Sequence, residues 1–314
     1  MHMEKSPFLF FLINVSIVAL SLIGIDKLVG DAFVKMKDIG LATDPESVWL
    51  KTPFTVEKVK TDMLVIGSSK ASHNYVSKML EDSLGMATYN CGQDGCFFLY
   101  QNCIVNMVLD RYAPKAIIWD LQPESFCEID ESRQYQNFRY LTPYYSKSKW
   151  AKGFIDSESR KMPYRMHCQM FGYNSMLAKY MYPIFVSESN SYEGYIPLAD
   201  DGDKHPELVY EKEDGLTTAN TRYLALLDST LRRCREKNVD VRVFFSPVLS
   251  KKAELMKNAE SAICEIAYCN DIICSNYHSA DVFMGDASLF KDASHLNENG
   301  AELYTQMVIE SFKQ

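Results

Sequence analysis

Met63-Leu64-Val65-Ile66-Gly67-Ser68-Ser69 is the stretch on which the reading of the fold turns. Four apolar residues in succession, closed by glycine and serine, read as a short strand covered on both faces, the kind found in parallel sheets. Downstream, Ala71 to Gly85 carries Tyr75, Met79 and Leu84 at helical spacing, and Thr88-Tyr89-Asn90 reads as a second strand. Phe97 to Arg111 is helical, Pro114 stops it, and Ala116 to Leu121 (AIIWDL) is a third strand. This alternation predicts an α/β fold built on a doubly wound parallel sheet.

Residues 127–215 break the rhythm. They hold 11 of the 19 tyrosines together with Trp150, too aromatic for a disordered tract. The expectation is an insertion that packs its own small core and lies as a lid over the strand ends. Regular α/β pattern then resumes with a helix over Asn220–Lys237, a strand over Val241–Phe245, a helix over Lys252–Cys269, a strand over Ile272–Cys274 and a helix over Ala301–Phe312. Residues 61–314 therefore read as one domain with an insertion.

The chain has 314 residues, 47% of them hydrophobic, enough for a sizeable core. Its formal charge of −8 argues against general nucleic-acid binding. Ser6 to Ile25 contains no charge and, at roughly 30 Å as a helix, matches the thickness of a bilayer core. Residues 1–29 are read as an uncleaved signal anchor, ahead of a cleaved signal peptide or a buried core helix. Residues 30–60 then form a linker packing on the domain, and everything beyond residue 30 lies outside the cytoplasm. Nine cysteines cannot all pair within the chain, and no Cys-x-x-Cys spacing supports a zinc site. His167, His205 and His278 lack metal-ligand spacing and are read as structural.

In an open α/β sheet, ligands sit beyond the carboxyl ends of the strands. Those ends supply Gly67-Ser68-Ser69, then Asn90-Cys91-Gly92-Gln93-Asp94-Gly95, then Asp120-Leu121-Gln122-Pro123-Glu124. Near the C-terminus, Asp292 precedes His295 by three residues, a spacing that sets a carboxylate against one imidazole nitrogen and leaves the other free to take a serine proton. Ser68 or Ser69 is alternatively a helix N-cap. His73 lies one helical turn after Ser69, and Asp94 and Glu124 either touch substrate or hold loops.

These residues resemble the SGNH (GDSL-like) hydrolase superfamily over about residues 61–126 and 239–314. The first family block, Gly-Asp-Ser, reads Gly67-Ser68-Ser69. The second, Asn-x-Gly-x-x-Gly, is matched by Asn90, Gly92 and Gly95, and the last, Asp-x-x-His, by Asp292 and His295. The third block, Gly-x-Asn-Asp, is replaced by Leu121-Gln122-Pro123-Glu124, so the usual asparagine oxyanion donor is missing. The resemblance implies a flavodoxin-like three-layer fold and a serine esterase or O-acyltransferase that works through a covalent acyl-serine. Ser69 is then the nucleophile, His295 the base, Asp292 its orienting carboxylate, and the N–H groups of Ser69 and Gly95 the oxyanion hole. Asn90, Gly92, Asp94, Glu124 and His73 are the substrate-binding candidates; no cofactor and no metal are implied. With its anchor and Gly-Ser-Ser variant, the chain is also similar to D-alanyl transfer proteins and to anchored proteins of polysaccharide O-acetylation. That adds an acylated cell-envelope or extracellular glycan, or a small ester, as substrate, and a membrane acyltransferase as a partner. The alternative is an anchored, catalytically inactive module of the same fold that binds glycan or a membrane partner.

Overall fold

The computed structural model describes residues 7–127, 134, 135, 137–186, 191–200, 202, 206, 207, 209, 210, 219–251 and 254–313. The chain begins with one long helix, α1 (Pro7–Thr43), followed by α2 (Lys51–Glu57). The first α/β units are β1 (Met63–Ile66), α3 (Ser69–Asn74), α4 (Ser77–Leu84), β2 (Thr88–Asn90), α5 (Phe98–Arg111) and β3 (Ala116–Asp120). The insertion supplies α6 (Lys149–Glu158), α7 (Met162–Arg165), α8 (Gln169–Tyr173), α9 (Leu177–Phe185) and the two-residue strand β4 (Val209–Tyr210). After it come α10 (Thr221–Glu236), β5 (Asp240–Phe245), the two-residue β6 (Ser250–Lys251), α11 (Glu254–Cys269), β7 (Ile273–Asn276), α12 (Asp281–Met284) and α13 (Glu298–Phe312).

Five strands form one parallel sheet in the order β2-β1-β3-β5-β7. Leu64 lies opposite both Tyr89 and Ile117, and Trp119 opposite Val243. Side chains alternate between two cores, which explains why the strands read as unbroken apolar runs. Met63, Val65, Ala116, Ile118 and Phe244 join Tyr75, Leu80 and Tyr304 on one face. Leu64, Ile66, Ile117, Trp119 and Val243 join Phe98, Val105 and Leu231 on the other. This is the doubly wound α/β architecture, with helices on both sides of the sheet. The strand order reverses between β1 and β3, so the crevice at their carboxyl ends is where such folds bind ligands.

Three expectations change. The helix expected over 71–85 is two helices, broken at Tyr75, which is fully buried in the core beside Tyr304. Thr305 holds the break by accepting from the Val76 N–H (2.9 Å) and donating to the Asn74 carbonyl (3.3 Å). Tertiary packing here overrides local helical periodicity. The linker expected over 30–60 is mostly helical: α1 runs unbroken from the apolar stretch to Thr43, just ahead of Pro45, and α2 follows. Finally, the described helices of the insertion do not cover the strand ends. α8 and α9 run along α1, and α6 packs on α5. Tyr140, Tyr144, Tyr173 and Tyr180 are buried there, as expected of a satellite core. From the insertion, Asn137 donates to the Gly95 carbonyl (2.9 Å) and the segment around Tyr192–Ile196 meets α3; part of the 127–215 region lies outside the described residues.

Sequence left the cysteine pairing open. Cys264 on α11 bonds to Cys274 on β7, and the other seven cysteines are in no disulfide among the described residues. His278 pairs with Glu260 at 2.6 Å, His167 is exposed, and His205 lies outside the described residues.

Candidate active site

Ser69 is the first residue of α3, directly after β1 and its Gly67-Ser68 turn. Ser68 holds the N-cap position, yet its hydroxyl makes no cap hydrogen bond and is buried without a partner among the described residues. The Ser69 hydroxyl is therefore not spent on capping. It lies 2.7 Å from Nε2 of His295. Nδ1 of the same ring is 2.9 Å from both carboxylate oxygens of Asp292. A carboxylate only accepts, so Nδ1 carries the proton and Nε2 presents its lone pair to the serine.

The Asp292–His295 loop is fixed by its own backbone. Asp292 accepts from the N–H groups of Ser294 (2.8 Å) and His295 (3.0 Å), and a bridge between Phe290 and Leu296 closes the loop. Burial pushes the Asp292 carboxyl up, but the hydrogen bonds from the His295 ring and from these N–H groups outweigh it and bring it to about 2. Asp292 thus stays charged throughout the ordinary pH range. Asn297 then caps α13 through the Gly300 N–H at 3.0 Å, and Leu296 N–H donates to Asn74 Oδ1 at 3.2 Å. That last bond ties the histidine loop to the helix that carries Ser69.

The second strand end contributes scaffold more than surface. Asn90 is fully buried and spends its whole amide on backbone: Nδ2 donates to the carbonyls of Ala71 (2.7 Å) and Tyr75 (3.1 Å), and Oδ1 accepts from Gly92 N–H (2.9 Å). Gly92 is buried against α3, where a Cβ would come within 2.3 Å of Ser72 N. Asn90 and Gly92, expected to touch substrate, are placed beneath the crevice by these contacts. Gly95 adopts φ +65°, the left-handed region that favours glycine. Among the described residues, the N–H groups of Ser69 and Gly95 have no acceptor.

Asp94 and His73 do border the crevice. His73 Nδ1 donates to the Ile196 carbonyl (2.8 Å), its Nε2 is 3.4 Å from Asp94, and its ring meets the His295 ring edge-on at 5.7 Å. Desolvation raises the Asp94 carboxyl, but His73, Lys51 and His295 together leave it below its ordinary value. Glu124 follows β3 and sits 3.7 Å from the Lys70 ammonium. Gln122, directly after β3, is buried, and its Oε1 has no partner among the described residues.

Two groups escaped the sequence reading. Lys51 on α2 is buried and donates to Ser72 Oγ (3.1 Å) and to the carbonyls of Gly92 (2.9 Å) and Gly194 (2.7 Å). Desolvation lowers its ammonium to about 8 against the pull of Asp94, Cys91 and Glu46. Nothing local distinguishes this lysine from others in a polar stretch, since its partners lie up to 143 positions away. Asp120, at the end of β3, is buried and hydrogen-bonded by Ser246; desolvation raises it to about 6, against the pull of Ser246, Lys70 and Tyr75. An acidic residue ending an apolar strand was the available signal. Among the described residues, no group of three His, Cys, Asp or Glu side chains is placed to hold a metal.

No family model matches the chain, and no curated protein is significantly similar to it. Among solved structures, the chain is similar to a psychrotrophic esterase from Pseudoalteromonas sp., in a crystal form inhibited by monoethylphosphonate. The two share 10% identity with a TM-score of 0.43, over 80% of this chain and 96% of that one.

Proposed function

We propose that the chain is a membrane-anchored serine esterase or O-acyltransferase. The observation that carries the reading is the Ser69–His295–Asp292 array, with a nucleophile, a base and an orienting carboxylate in hydrogen-bond sequence at 2.7 and 2.9 Å.

In this reading Ser69 Oγ attacks the ester carbonyl and passes its proton to His295 Nε2, while Asp292 stabilises the imidazolium. The carbonyl oxygen, now an oxyanion, takes hydrogen bonds from the N–H groups of Ser69 and Gly95. The ester C–O bond breaks, the leaving alkoxide takes the proton from His295, and the acyl group remains on Ser69. Water or a sugar hydroxyl then attacks the acyl-serine with His295 again as base, regenerating Ser69. Water makes the chain an esterase, and a sugar hydroxyl makes it an O-acyltransferase. The crevice is open: the Asp292 side chain is 55% exposed and that of His295 23%. An open triad suits an ester carried on a glycan better than a small buried substrate.

The apolar part of α1, from Phe8 to Ile25, is exposed and packs on nothing in the domain. We assign it to the bilayer, with the α/β domain outside the cytoplasm, where the Cys264–Cys274 disulfide is at home. The assay is acetate release from an acetylated glycan and from an aryl acetate. Wild-type protein should turn over and Ser69→Ala should lose at least about a thousandfold in kcat. No turnover, or equal turnover in the variant, leaves the inactive binding module as the reading.

A further inference from the structure

We propose that the surface from Arg160 to Phe171 rests on an anionic lipid headgroup layer beside the point where α1 leaves the bilayer. The proposal depends on reading α1 as the anchor. The junction between the apolar and docked halves of α1 fixes the level of this surface. Asp26 follows Ile25 directly, and its carboxylate accepts from the N–H groups of Gln169 (2.8 Å) and Met170 (2.9 Å) and from the Cys168 thiol (2.9 Å). Gly30, one turn on, takes Gln169 against its backbone, where a Cβ would meet the Gln169 side chain at 2.4 Å. Gly40 lies against the Tyr180 carbonyl, where a Cβ would stand at 2.9 Å. The insertion therefore climbs α1 away from Ile25 as its residue numbers rise from 169 to 180. Cys168, Gln169 and Met170 thus stand at the level of Asp26, directly beyond the apolar run, and Tyr164 and Arg165 precede them by only a few residues.

The side chains there suit a headgroup layer. Arg160, Lys161, Tyr164 and Arg165 are all exposed, Tyr164 by 79%. Arg165 stands 5.8 Å from the Phe171 ring. Between residues 158 and 171 there are three such cations and one carboxylate, Glu158, on a chain whose net charge is −8. Among the described residues, none of the three cations has an ion-pair partner. An exposed tyrosine among arginine and lysine is the composition of membrane–water interfaces, and the cations select anionic lipid over neutral lipid. A surface joined to the anchor by this carboxylate clamp meets the headgroups as soon as α1 inserts.

The test is amide hydrogen exchange on the full chain in nanodiscs of phosphatidylcholine alone or of phosphatidylcholine with phosphatidylglycerol. Peptides covering 7–25 report the anchor, and peptides covering 158–171 report the surface. In anionic discs the 158–171 amides should exchange at least about tenfold more slowly than in neutral discs, with the difference lost at high salt. The combined variant Arg160→Glu, Lys161→Glu, Arg165→Glu should also lose it while keeping wild-type thermal unfolding. Equal exchange of 158–171 in both discs, with 7–25 protected, overturns the proposal and leaves the anchor standing. Unprotected 7–25 overturns the anchor reading and this proposal with it.

Discussion

Replacing Gly92 with alanine tests whether the position of Ser69 is set by backbone packing. The new Cβ would stand 2.3 Å from Ser72 N, 2.8 Å from Ala71 C and 2.9 Å from Ala71 Cβ, and ordinary contact begins at 3.4 Å. The shortfall of about 1.1 Å falls mainly on main-chain atoms of α3, so no side-chain rotation relieves it. α3 cannot shift freely at its far end, where Asn74 holds Leu296 and Thr305 holds Val76. The displacement is taken up towards Ser69 and stretches its 2.7 Å bond to His295 out of hydrogen-bond reach. A misplacement of about 1 Å at a reacting group costs on the order of 100-fold in rate, or about 2.7 kcal/mol in the barrier. Overpacking should also lower stability by about 1–3 kcal/mol. The assay is aryl-acetate hydrolysis with kcat and KM resolved, beside urea unfolding of the same preparation. The loss should fall on kcat. A variant with kcat within about twofold of wild type and an unshifted unfolding midpoint would refute the argument that this close approach positions the serine.

Gly153 is the contrasting case: it lies inside α6 on an exposed face with nothing within 4 Å of an added Cβ, so Gly153→Ala should raise stability by about 0.5–1 kcal/mol without changing kcat. Cys264 and Cys274 close a loop of sequence separation 10, and the double serine variant should lose about 2–3 kcal/mol in urea unfolding under non-reducing conditions. Asp120 titrates near 6 when folded and at 3.8 in the reference state, so the native protein binds more protons between those values. This group's contribution therefore falls as pH rises through that window, by about 2–3 kcal/mol in all. Asp120→Asn keeps an oxygen for Ser246 and should flatten that part of the stability profile measured by urea unfolding at pH 4 and pH 7; an unchanged slope contradicts the assignment.

The sheet was legible because its central strands β1 and β3 are buried on both faces. Met63–Ile66 and Ala116–Trp119 are apolar throughout for that reason, and the stops after them mark the carboxyl ends where the crevice must open. Ser69 was legible because it follows the first of those ends, and Asp292 and His295 because their short spacing survives without knowledge of packing. What escaped depends on partners distant in the chain. The break at Tyr75 is made by Thr305 and Tyr304, more than two hundred positions away. Lys51 looked like one more linker lysine until Gly92 and Gly194 closed around it. The insertion reads as aromatic in sequence, but nothing in its composition says that its partner is α1 and not the strand ends. Asn90 shows the converse error: a polar residue at a strand end invites a substrate role, while its amide is consumed by three backbone groups.

These misread residues have one physical function in common. α3 has six residues, too short to be stable by itself, because helix nucleation outweighs the few bonds it closes. It keeps its shape through contacts from distant parts of the chain. Asn90 holds the carbonyls of Ala71 and Tyr75, and Lys51 holds the Ser72 hydroxyl. Ile196 N–H donates to the Ser72 carbonyl at 3.0 Å, and Asn74 reaches the histidine loop. Each clamp acts on a residue of α3 or on its immediate end, and each comes from a different segment: the second strand, α2, the insertion and the C-terminal unit. The serine is thus placed only when all four have folded around it. That explains why the insertion and the segment following α1 are integral to the α/β domain, although neither contributes a residue to the triad.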